Sequence, residues 1–142
     1  MHAESASVPS RDCAPPGRGT VDVHQHLWPA TFVEALRSRS EPPRLDGWLL
    51  HTDFEPPFAV NPRDHDLSTR LGQDPDLGRA LLSLSAPLGI ESLPADQATP
   101  LLDAWHDGLS GLAADSRGRI AGWASVSRHE PDLSGLQTLL SD

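Results

Sequence analysis

Three observations predict an α/β fold with parallel strands. Short β-branched or apolar runs occur at residues 20–24, 79–86 and 119–127, and each is followed by a stretch with apolar residues at helical spacing. Strand and helix therefore alternate, the order of a parallel sheet covered by helices. At the end of the first run, in "TVDVHQHLWPATF", two histidines stand one residue apart.

The elements follow in chain order. "TVDVH" alternates β-branched and polar residues and reads as the first strand. "PATFVEALRSRS" reads as a helix, with Pro29 acceptable in its first turn and Phe32, Val33 and Leu36 on one face. Residues 41–63 are rich in proline, and "GWLLHTDFEPPFAV" has apolar runs on either side of a polar Asp53. That segment is expected to be an irregular excursion or hairpin outside the main sheet. A short polar helix is expected from about Asp64 to Gln73. "RALLSLSA" is a second strand, ended by Pro87. In "PADQATPLLDAWHDGLSGLAAD", Leu101, Leu102, Trp105, Leu109 and Leu112 recur at helical spacing, with Thr99 able to cap and Pro100 able to open the helix. "RIAGWASVS" is a third strand, and "EPDLSGLQTLLSD" begins another helix.

Composition narrows the function classes. A chain of 142 residues is one domain by length. Residues 1–19 are expected to be a flexible Pro/Ser/Gly-rich leader and 20–142 the folded part. A formal charge of -9 with scattered arginines makes nucleic acid and anionic membrane surfaces poor partners. The single cysteine, Cys13, cannot form an intramolecular disulfide, so a cytoplasmic protein is expected. The leader lacks the apolar stretch of a signal peptide, and no segment approaches the ~18 apolar residues of a membrane span. His2 and Cys13 read as residues of a solvated tail.

Strand parity makes the histidine pair informative. Side chains at i and i+2 share a face, so Asp22, His24 and His26 are expected on one side, with Val21, Val23 and Gln25 on the other, facing the helices. The histidines would then lie at the carboxyl end of the strand, where α/β barrels build their sites. Two neutral imidazoles there suit zinc or a similar divalent ion. Seven histidines in 142 residues give about 0.3 such pairs by chance, so position rather than spacing carries the signal.

The blocks "VDVHQHLWP" with "FVEALR", "LLSLSAPLGIE" leading into "LLDAWHDGL", and "GRIAGWASVS" together resemble the metal-dependent amidohydrolases. Within that superfamily they are similar to the group related to aminocarboxymuconate semialdehyde decarboxylase. The resemblance implies a (β/α)8 barrel of the TIM type, of which this chain would supply about the first three strand-helix units. It implies one divalent metal, usually zinc, on His24 and His26. It also implies hydrolysis or decarboxylation of a small, carboxylate-bearing molecule through a metal-activated water. The family's later residues, a histidine on the fifth strand, often another after the sixth, and an aspartate ending the eighth, have no counterpart here. The chain thus reads as the amino-terminal part of a longer enzyme.

A catalytic zinc site normally has three protein ligands. His129, and Asp53, His51 and His65 of the excursion, could approach the same rim, and each also reads as a solvated loop residue. His106 reads as a helix-surface residue. Arg44 could bind a substrate carboxylate in bidentate fashion, or be a plain surface arginine. The alternative function is a non-catalytic fragment, or a half-barrel that assembles through the exposed edges of its first and third strands. A third reading is a small α/β binding domain with incidental histidines.

Overall fold

The computed structural model describes residues 19–141. The expected leader, with His2 and Cys13, falls outside that range except for Gly19. In chain order the elements are β1 (Thr20–Gln25), α1 (Ala30–Arg37), β2 (Arg44–Asp46), β3 (Leu49–His51), β4 (Phe58–Ala59), α2 (Leu67–Gln73), β5 (Leu77–Leu82), α3 (Ala95–Asp115), β6 (Ile120–Gly122) and α4 (Leu133–Leu139). Strands β1, β5 and β6 form a parallel sheet with β5 in the centre. Each of the three is followed by helix, so the class and strand direction expected from the sequence are present. The described residues form no closed barrel, and β1 and β6 are the outer strands of the sheet.

Helices α1 and α3 cover one face. Phe32, Val33 and Leu36 of α1 and Ala98, Leu101, Leu102 and Trp105 of α3 pack on Ala80, Leu82 and Ile120 of the sheet. Phe32 and Trp105 meet edge to face, with ring centroids 5.8 Å apart. The two helices approach closely at Gly108, where a Cβ would enter the space of Pro29 and Thr31. Pro29 precedes α1 rather than lying in its first turn, and its carbonyl accepts the Val33 N–H at 3.0 Å.

Helix α3 starts five residues before Pro100. The Pro94 carbonyl accepts the N–H groups of Gln97 and Ala98, both at 2.9 Å, and Thr99 does not cap. Pro100 sits in the second turn, where its missing N–H removes one ladder bond. Burial of Ala98 and Leu101 in the early turns offsets that loss. The second strand also differs from expectation. It runs from Leu77 to Leu82, and Ala86–Leu88 form a 3-10 turn that Pro87 favours. The third strand is shorter than expected and stops at Gly122.

The excursion is a regular antiparallel meander in the order β2-β3-β4, with Leu45 and Leu50 buried in the common core. A 3-10 turn over Pro62–His65 and then α2 return the chain to the sheet. The Asp66 side chain accepts the Thr69 N–H at 2.7 Å and so caps α2. Among the described residues no helix is long and apolar enough to cross a membrane.

Strict alternation fails in β1. Asp22 pairs with Ala80 and Gln25 with Leu82, so three steps on β1 match two on β5, a bulge at residues 23–24. Asp22 and Gln25 therefore stand beside core residues, on the face expected for the valines. Val21 and Val23 are 57% and 60% exposed and do not face the helices.

Candidate metal centre

His24 lies in the bulge and His26 just beyond the last residue of β1. Their rings stand edge to face with centroids 4.7 Å apart. Two imidazoles bound to one zinc at about 2.0–2.1 Å would have ring centres about 5 Å apart, close to the observed spacing. His26 Nδ1 is 2.8 Å from the Ser83 carbonyl. A carbonyl only accepts, so Nδ1 carries the proton and Nε2 keeps its lone pair. His24 Nδ1 is 3.2 Å from the Ser83 hydroxyl. Among the described residues neither Nε2 atom has a hydrogen-bond partner. Donor type and ring spacing fit a divalent ion, and the free lone pair on Nε2 of His26 offers it a ligand.

Asp22 does not join the pair. One of its oxygens accepts the His24 backbone N–H at 3.0 Å and the other the Gln25 amide at 2.8 Å. These bonds, the Gln25 amide foremost, hold its carboxyl below the usual range. They brace the bulge, tying Asp22 to the backbone of His24 and the side chain of Gln25.

The segment after the pair is anchored from several sides. The Trp28 indole donates to the Ser85 hydroxyl at 3.1 Å, and Arg70 donates to the carbonyls of His26 and Asp64 at 3.2 and 2.7 Å. His65 lies against Trp28, centroids 4.3 Å apart and nearly parallel, with Trp48 beyond at 6.0 Å. Its Nδ1 accepts the Trp28 backbone N–H at 2.9 Å. Burial pushes its pKa down to about 4. His65 is thus neither a solvated loop residue nor a rim ligand. It is a neutral imidazole that fixes the backbone two residues after His26.

The other candidates lie elsewhere. His106, half-buried, accepts the Ser125 N–H on Nε2 at 3.1 Å, and burial lowers its pKa. It lines a groove of about 460 Å³ between α3 and α4, so it ties down the chain after β6 instead of sitting free on a helix surface. His129 Nε2 is 3.2 Å from the Ser92 carbonyl. Arg44 faces His51 across β2 and β3, its guanidinium 3.4 Å from His51 Nδ1. Asp53 is exposed between β3 and β4. The structure therefore brings His24 and His26 together and leaves Arg44 in the meander. Among the described residues no group of three His, Cys, Asp or Glu side chains gathers to hold a metal.

Ser83 and Trp28 were not among the residues singled out in the sequence. Ser83 follows Leu82 at the end of β5, and strand alternation alone places it on the face opposite the core, beside the histidines. The Trp28–His65 stack spans 37 residues of sequence and leaves no local signal. No protein-family model matches this chain, and no curated protein matches it.

Proposed function

We propose that this chain carries part of the metal centre of an amidohydrolase-like enzyme, with His24 and His26 as two ligands of one divalent ion, zinc first. The observation that carries this reading is the pair itself: adjacent imidazoles at the carboxyl end of a parallel strand, each Nδ1 against Ser83 and each Nε2 open. A divalent ion there would polarise a carbonyl and bring the pKa of a bound water toward neutrality. The chain's own residues hold and orient. Asp22 sets the bulge, Ser83 turns the rings, and His65 and Arg70 fix the following backbone. In this reading a third protein donor would come from elsewhere in a (β/α)8 barrel of which this chain would supply the first three strand-helix units.

Within this reading the substrate is a small carboxylate-bearing molecule that is hydrolysed or decarboxylated. Arg44 is its candidate anchor, since its partly buried guanidinium has only the His51 ring within hydrogen-bond reach among the described residues. The charge of -9 argues against nucleic acid and anionic membrane surfaces as partners, and the single cysteine is compatible with a cytoplasmic protein. Titration with Zn²⁺ and Co²⁺ tests the metal. The wild-type chain should bind one ion, and the His24→Ala/His26→Ala double variant none. Equal binding by both ends the reading.

One observation favours a second reading, a module that completes itself by assembly. Among the described residues β1 and β6 each have one unpaired edge, and Val21 and Val23 of β1 are 57% and 60% exposed. A discrete dimer by light scattering would support assembly, and a monodisperse monomer would remove it.

A further inference from the structure

The geometry points to Ser83 as the positioning residue of the histidine pair: one residue at the end of β5 presets both imidazoles, its carbonyl orienting His26 and its hydroxyl orienting His24. This rests on the reading of the pair as metal ligands. A metal-binding histidine commonly gives its second ring nitrogen to a carbonyl or a polar side chain, which fixes tautomer and ring direction. Here both come from Ser83, at 2.8 Å through the carbonyl and 3.2 Å through the hydroxyl.

The backbone around Ser83 is itself held. Its N–H donates to the Gln25 carbonyl at 2.9 Å, across the pairing that the bulge interrupts. The Trp123 N–H donates to the Leu82 carbonyl at 2.8 Å on the other side. The Ser83 segment is therefore fixed from both neighbouring strands, and the two contacts it offers the histidines are set by the sheet. His24 and His26, two residues apart, share the face that Ser83 lines, so that one residue directly after β5 meets both rings.

The two contacts make different demands. The His26 contact uses a backbone carbonyl and survives any side-chain change at position 83. The His24 contact needs a hydroxyl. Ser83→Ala should therefore release His24 alone, while Ser83→Thr should retain it. With the Nδ1 contact gone, the His24 ring gains rotational freedom and a mixed tautomer, and the pair is no longer preset for one ion.

The test has two independent arms. Nitrogen-15 NMR of the imidazoles in the metal-free chain, above the histidine titration range, reads the tautomers directly. His26 should carry its proton on Nδ1 in wild type and in both variants. His24 should carry its proton on Nδ1, donated to the hydroxyl oxygen of residue 83, in wild type and Ser83→Thr, and show an averaged pair of tautomers in Ser83→Ala; a dominant Nε2–H form in wild type overturns the inference. The second arm is Co²⁺ affinity, with an expected loss of about 10- to 100-fold in Ser83→Ala and recovery in Ser83→Thr. An unchanged His24 tautomer in Ser83→Ala overturns the inference, and so does unchanged Co²⁺ affinity. A wild-type chain that binds no Co²⁺ yet shows the expected tautomers would refute the metal reading while leaving the orienting role of Ser83 in place.

Discussion

Acidification should weaken the fold through His65, by an amount the structure sets. The folded-state pKa of about 4 lies below the 6.5 of a free histidine, so the unfolded chain binds the proton more readily. Stability is thus fully present above about 6.5 and falls as the pH drops toward 4. The whole difference corresponds to about 3 kcal/mol, of which about 2 are lost between pH 7 and pH 5. His65 is only half-buried, which brings the expected loss to about 1 kcal/mol over that interval. That is about 4 °C in Tm for a domain of this size.

Urea unfolding followed by tryptophan fluorescence at several pH values measures this. Burial lowers the pKa of His106 as well, so the comparison must be with a variant at position 65 alone. His65→Asn retains an acceptor for the Trp28 N–H and does not titrate. It should be less stable than wild type near neutral pH, because the ring packed between two indoles is gone. It should also lose about 1 kcal/mol less on going from pH 7 to pH 5. Parallel curves for the two proteins would refute the argument, since the stacked, hydrogen-bonded histidine would then contribute no proton linkage.

The remaining predictions concern separate parts of the fold. Gly108→Ala should destabilise by about 1–3 kcal/mol in chemical denaturation, because the added methyl collides with Pro29 and Thr31 between α1 and α3. Asp66→Ala should cost about 1 kcal/mol and fray α2, read as faster hydrogen exchange at Thr69, because the cap of that helix is lost. Its carboxyl is held at about 2, first by the Ser68 and Thr69 side chains, so this contribution is present above the ordinary 3.8 and is lost as the pH falls from there toward 2. Replacing Val21 and Val23 together by threonine should reduce any self-association seen by light scattering without lowering Tm by more than a few degrees, since both side chains are already in water.

The order of strands and helices was legible because each sheet strand is a short apolar run with a helix after it. The core face of α1 followed directly from Phe32, Val33 and Leu36, all of which are buried. Two kinds of information were not local. The bulge in β1 depends on the register against β5, and a six-residue run with regular alternation gives no sign that pairing will slip. That slip moved Val21 and Val23 out of the expected helix face and put Asp22 with Gln25. The start of α3 was misplaced because Pro100 is a strong signal for a first turn, whereas the helix begins on the Pro94 carbonyl and tolerates the later proline. In the candidate site, the histidine spacing marked the two donors. Ser83 and His65, which hold them, lie 57 and 37 residues from His26 and Trp28 and became visible only in the fold.

The close approach at Gly108 bears on how steadily the pair is held. Pro29 touches α3 there, and it lies only three residues after His26. The tether between the helix-helix contact and the second imidazole is therefore Leu27 and Trp28, both buried. A span that short and that enclosed has little slack. A disturbance at the α1–α3 crossing, well inside the core, would be passed to the histidines as a change in position before it was felt as a loss of fold.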